Sequence, residues 1–174
     1  MADVEIYTPT GVVAGVTARA PLSTDGPDDG PDLESALAIG DARWYPLDGS
    51  SPSQAGDVRL EPDEILLIVT EEPELTVHMN WFSICLDVGP YRVSGMIATM
   101  PGFDPDRALT RPGSTFVPLK DATIELVGRT DVAPAERAHL HVNRYAVETC
   151  ASSLALGFFF PGAHFPEPEP APVA

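Results

Sequence analysis

The chain has 174 residues, enough for one domain or two small ones, and 44% are hydrophobic, so it can bury a core. It is therefore not globally disordered. Its 26 acidic residues against 10 basic ones give a charge of −16, which repels phosphate backbones and anionic lipid and favours cations and basic partners. That balance argues against nucleic acid, whose binders usually show a basic face.

The apolar residues mostly recur with period two, the pattern of half-buried strands. Val4 and Ile6 alternate, Pro9-Thr10-Gly11 turns the chain, and Val12–Ala18 follows, which together predict a hairpin. A short helix is expected at Pro31–Ile39. Strands are then expected at Arg43–Leu47, Val58–Leu60, Glu64–Thr70 and Glu74–Trp81. A second hairpin follows, with Ile84, Leu86 and Val88 before Gly89-Pro90, and Tyr91, Val93 and Ile97 after it. Asp104–Leu109 has a capping aspartate and Pro105 in the first helical position, so it reads as another short helix. The remaining predicted strands are Thr115–Leu119, Ala122–Val127, His139–Asn143 and Tyr145–Cys150. Cys150–Phe160 reads as a final strand or a third short helix. With 19 prolines and 14 glycines as punctuation, long helices have little room. The end of the chain, Pro166–Ala174, is Pro-rich and acidic and is expected to be extended.

The chain also looks like one unit written twice. Shifted by 80 positions, Val4–Pro21 lies on Ile84–Pro101 without a gap, with identities at Val13/Val93, Gly15/Gly95, Ala18/Ala98 and Pro21/Pro101. Shifted by 72, Ala36–Leu47 lies on Ala108–Leu119, which implies eight extra residues in the first copy around Thr24–Pro31. The expected fold is mainly β, with two tandem related small β-barrel units. One larger barrel or sandwich of two pseudo-symmetric halves is the alternative. The expected organisation is a first unit at 1–72, a second at 73–153, an apolar C-terminal segment at 154–165 and a tail at 166–174.

Val4–Gly15 (VEIYTPTGVVAG) resembles the opening hairpin of the bacterial Sm protein Hfq and its relatives. Glu64–Val69 (EILLIV) resembles the last strand of such a barrel. The segment Phe116–Leu126 (FVPLKDATIEL) is similar to one in an uncharacterised bacterial domain family. The Sm resemblance implies a small SH3-like barrel, ring oligomers and RNA binding. The polar loop residues and basic patch that such proteins use on RNA are not recognisable, so the resemblance is used for the fold alone.

Candidate sites are few. His139 and His141 (HLH) alternate on a strand, face one side, and are the only metal-ligand candidates, with His78 or Glu148 as further donors. Thr24–Glu34 is rich in aspartate, but the calcium-loop template fails. With Gly30 at its sixth position, Pro27 and Ala36 fall where carboxylates are required. Cys85 and Cys150 fall on strands expected to be neighbours and read as small buried apolar residues rather than a disulfide framework. Arg144 sits in a turn between two strands, or serves as a buried or interface cation. Three consecutive phenylalanines, Phe158, Phe159 and Phe160, cannot all face one core on a regular strand. With Phe165 they are the candidate protein-interaction residues, packing on the chain itself, on a second copy or on a partner.

No nucleophile elbow, phosphate loop or metal-protease helix is present in the sequence. The expectation is a non-enzymatic, bacterial, cytoplasmic interaction or accessory module without cofactor, acting with a protein partner or as a homo-oligomer. The alternatives are an Sm-like RNA-binding protein and a small-molecule or metal-binding barrel. No basic leader or membrane span is expected.

Overall fold

Period-two alternation over most of the chain produces ten strands in the computed structural model. They are β1 (Ala2–Tyr7), β2 (Gly11–Thr17), β3 (Leu37–Pro46), β4 (Ser53–Leu60), β5 (Leu67–Val69), β6 (Asn80–Val88), β7 (Tyr91–Thr99), β8 (Phe116–Leu126), β9 (Ala135–Asn143) and β10 (Val147–Ser152). The structure describes residues 1–22, 35–69, 80–99, 114–154, 156–157 and 159–166. Among these the helical content is one 3₁₀ turn, Pro62–Glu64, closed by a reciprocal capping box between Glu61 and Glu64. The protein is therefore mainly β. All strands join one antiparallel sheet in the order β10-β6-β7-β8-β9-β5-β1-β2-β3-β4, which does not close on itself.

The order contains one pattern twice. In the first half the fifth strand lies beside the first, giving β5-β1-β2-β3-β4, and the second half reads β10-β6-β7-β8-β9. The ladders correspond residue by residue. Val4 faces Gly15 and Ile6 faces Val13; 80 residues later, Ile84 faces Gly95 and Leu86 faces Val93. The second and third strands slip register between Ala14 and Val16, and again between Ser94 and Met96. At that slip Gly15 presses on the third strand: a Cβ there would lie 2.6 Å from Ile39 Cγ2 and 2.7 Å from the Gly40 carbonyl. Asp41 and Asp121 take the same left-handed φ, 51° and 49°, which aspartate tolerates better than most residues.

These pairings correct the alignment at 72. The third strands correspond at 80, so Asp41-Ala42 lies on Asp121-Ala122 and Ile39 on Leu119. The fourth and fifth strands then correspond at 82. Leu60 and Val142 face the matched residues Leu37 and Val117, and Ile68 and Cys150 face Ile6 and Leu86. The error arose because Ala-Leu and Pro-Leu pairs recur by chance, whereas the Asp-Ala pair marks the bulge.

Other expectations shift for local reasons. Thr115–Leu119 and Ala122–Val127 form one strand bent at the bulge. Leu37–Ile39, expected to end a helix, opens β3 instead because its backbone pairs with β4. Ser53–Gly56, which reads as loop chemistry, belongs to β4 with its side chains exposed. Asp104–Leu109, Glu74–Met79, the 72/73 boundary and the Thr24–Glu34 loop lie outside the described residues.

Two cores form from the same positions. The first gathers Val4, Ile6, Val13, Ile39, Ala42, Leu60 and Ile68. Their counterparts Ile84, Leu86, Val93, Leu119, Ala122, Val142 and Cys150 belong to the second. The halves also exchange residues: Phe116 of β8 enters the first core, while Tyr7, Leu66 and Leu67 enter the second. Strand β5 is buried on both faces, which explains its unbroken apolar run. Tyr91 seals the exchange, donating its hydroxyl hydrogen bond to the Thr8 carbonyl at 2.9 Å and packing edge-on against Tyr7.

Candidate functional site: the open ends of the sheet

Where the halves meet, the fourth strand of the second half pairs with the fifth strand of the first. Leu140, His141 and Val142 of β9 face Val69, Ile68 and Leu67 of β5. The Asn143 amide donates to the Leu66 carbonyl at 2.9 Å and its side chain to the Ile65 carbonyl at 2.9 Å. Beyond the end of β5, Arg137 grips both carboxylate oxygens of Glu5 at 2.7 and 2.9 Å, and the Tyr7 hydroxyl donates to the same carboxylate. Burial and that acidic neighbour push the Tyr7 phenol well above its ordinary pKa.

The first half has no such neighbour on its own fourth strand. β4 pairs with β3 on one side, and among the described residues nothing pairs with its other edge. Ser53–Asp57 and Arg59 are exposed. An unpaired edge is a template for another strand, and proteins usually blunt or cover it. Beside it, the outer face of the first half forms an open groove of about 560 Å³. It is lined by Ala14, Gly15 and Val16 of β2, by Arg43, Tyr45 and Gln54, and by the carboxylates of Asp3, Asp41 and Glu5, of which Glu5 is already paired with Arg137.

The opposite end of the sheet is covered by the chain itself. The Cys150 amide donates to the His164 carbonyl at 2.9 Å, and the His164 amide donates to the Glu148 carbonyl at 2.8 Å, a parallel bridge on the outer edge of β10. Leu156 and Phe160 anchor this segment in the second core, with Phe159 and Phe165 half-buried against it. Leu156 accepts hydrogen bonds from the amides of both Phe159 and Phe160, so the chain coils here. A turn, unlike a strand, can aim neighbouring rings at one core. Phe160 is fully buried within the chain, and Phe158 lies outside the described residues.

His139 and His141 sit on β9 at the positions that Asp57 and Arg59 occupy on β4. His141 is buried, and burial together with the nearby His139 lowers its pKa from 6.5 to about 4, so it is neutral at pH 7. No group of three or more potential metal ligands comes together among the described residues; His78 lies outside them, and Glu148 lies on β10. Cys85 and Cys150 lie on paired strands, but Cys150 faces Leu86 while Cys85 faces Ala151, so their side chains alternate to opposite faces. Burial pushes the Cys150 thiol up to about 11, which makes it a poor nucleophile. Arg144 is both in a turn and buried, its guanidinium 5.6 Å from the Tyr145 ring centroid. No helix among the described residues is long and apolar enough to cross a membrane.

The candidate site was missed in the sequence because β4 has no apolar alternation before Val58. The sequence marks only its end, Val58–Leu60, as a strand. No protein-family model matches the chain, and no curated protein or solved structure matches it at a significant level.

Proposed function

We infer that this chain is a non-enzymatic interaction or accessory module built from two copies of a small SH3-like or Sm-like barrel unit. The repeated strand order, the matched bulges and the matched core positions support the duplication. The observation that carries the interaction reading is the outer β4 edge, unpaired among the described residues, beside a groove in which the carboxylates of Asp3 and Asp41 attract basic side chains. A protein partner would dock there by adding a strand.

Affinity purification with the tagged full chain tests this, using nuclease-treated and untreated lysate and the Arg59→Pro variant in parallel. The expected result is a stoichiometric protein partner that survives nuclease and is lost from Arg59→Pro, since proline at an exposed edge removes a donor while sparing the fold. A nuclease-sensitive RNA as the main ligand would overturn the reading. A partner retained equally by the variant would move the docking site away from β4.

A further inference from the structure

We propose that the strand accepted by β4 comes from a foreign protein and carries a basic side chain facing Asp57 and Asp41 and, at its next position on the same face, an acidic one facing Gln54 and Arg43. Charge order along the edge then selects the partner and sets its register. The inference rests on the interaction-module reading and goes further by naming the partner's chemistry.

The groove face is built in rows of opposite sign. Val69, Glu5, Ala14, Arg43 and Gln54 stand opposite one another across β5, β1, β2, β3 and β4. Glu5 is held by Arg137, so the charge this row offers at the β4 end is the cation of Arg43 beside Gln54. In the next row Asp3 stands opposite Val16, and Val16 opposite Gly40. The Asp57 carboxylate of β4 leans towards the side-chain space that Gly40 leaves: a Cβ there would lie 3.7 Å from Asp57 Oδ1 and 3.8 Å from Val16 Cγ2. Asp41 follows Gly40 and takes its left-handed φ at the slip in the ladder. Among the described residues Asp3, Asp41 and Asp57 form no ion pair.

An added strand turns these rows into a reading frame. One step on β3, from Ala42 to Arg43, matches two on β4, from Gly56 to Gln54. Ala55 is thus the extra residue of a bulge, and a regular strand meets Gln54 and Asp57 with alternate side chains. Strands lie about 4.8 Å apart, so the Asp41 strand is about 10 Å from the added one, within reach of the long side chain of arginine meeting a carboxylate. Gly56 leaves the way open, since a Cβ there would meet nothing within 4 Å. The ladders between the ten strands are antiparallel, and an antiparallel addition places the basic residue before the acidic one in the partner's sequence. The second half lacks this order: Asp3, Arg43 and Asp57 correspond to Ser83, Thr123 and His139, and only Asp121 repeats Asp41.

Titration of the full chain with two short labelled peptides tests the proposal. Both alternate valine and threonine; one carries arginine before glutamate at successive threonine positions, and the other carries the same pair reversed. Their composition and net charge are equal, so general attraction to the acidic protein cancels. The arginine-first peptide is expected to bind about fivefold more tightly in low salt, as exposed ion pairs allow, and to lose that advantage in high salt. Asp41→Asn with Asp57→Asn should abolish the preference, since asparagine keeps the size and tolerates the left-handed φ of position 41. Asp121→Asn, which removes the matched charge of the other half, should leave it intact. Equal affinities, a preference for the reversed order, or a preference that survives Asp41→Asn with Asp57→Asn overturns the proposal. If both peptides bind equally and Arg59→Pro releases both, the interaction reading stands and charge order as its selector does not. Failure of either peptide to bind also overturns the proposal, while capture of a partner that Arg59→Pro loses still supports the interaction reading.

Discussion

The two halves share a strand order, a bulge and a set of core positions, yet their outer edges meet different fates. In the second half the fourth strand is paired by β5 and the fifth is covered by the C-terminal strip. In the first half the fifth strand is buried on both faces, and among the described residues nothing pairs with the outer edge of the fourth. Equal strands thus acquire different roles from their neighbours: β9 lies in the middle of the sheet, while its counterpart β4 lies at one end of it.

The largest expected effect tests how far β5 serves both halves. Leu67 and Ile68 are fully buried, one in each core, so Leu67→Ala and Ile68→Ala should each cost about 2–5 kcal/mol. The matched position to Leu67 is Thr149, half-buried at the covered edge, where Thr149→Ala should stay within about 1 kcal/mol. Urea midpoints of the three variants measure the contrast, and equal losses would erase it.

The next effect separates His141 from its exposed counterpart Arg59. The unfolded chain protonates this histidine below its ordinary 6.5, while the folded chain resists until about 4. Between those values the unfolded state binds more protons, so stability is intact above pH 6.5 and falls as the pH drops towards 4. The loss approaches the order of 3 kcal/mol at pH 4. Urea midpoints from pH 7 to 4 should fall more steeply for the native chain than for His141→Gln, the difference isolating this residue from the titrating carboxylates.

Gly15 and Gly95 are matched, but their surroundings are not. A Cβ on Gly15 would approach the Gly40 carbonyl to 2.7 Å, whereas on Gly95 the closest approach is 3.2 Å, to the Lys120 carbonyl. Gly15→Ala should therefore cost about 1–3 kcal/mol and Gly95→Ala less, as read from thermal melts.

The smallest effect concerns the clamp between the halves. Glu5 and Arg137 are both about three-quarters buried at the side chain, with exposures of 27% and 29%, and their geometry is bidentate. A double-mutant cycle should give a coupling of about 1 kcal/mol, above that of an ordinary surface pair. A coupling near zero would mean that the clamp adds nothing to the β5–β9 pairing and the Tyr91 contacts that also join the halves.

Much of the fold was legible in the residues. Alternation marked both hairpins because each strand has one face on a core, and Val4–Pro21 against Ile84–Pro101 carried the correct shift of 80. That the strands of Cys85 and Cys150 are neighbours is what the resemblance to an Sm-like barrel implied, and the two strands do pair. The shift at 72 failed because short apolar pairs carry little positional information. The open edge was hidden because β4 is polar where it is exposed, and backbone pairing needs no side-chain signature.

The amino-acid pattern by itself determined a mainly β chain, since the period of burial and the spacing of turns are local properties. Only the tertiary structure decided that β9 joins β5, that β5 is buried twice, that the phenylalanine-rich end coils onto the second core, and that the outer edge of β4 has no partner among the described residues. Those outcomes depend on which edges meet. Edges are made of backbone groups that are chemically alike at every residue except proline, so their pairing is chosen by the packing of the whole sheet.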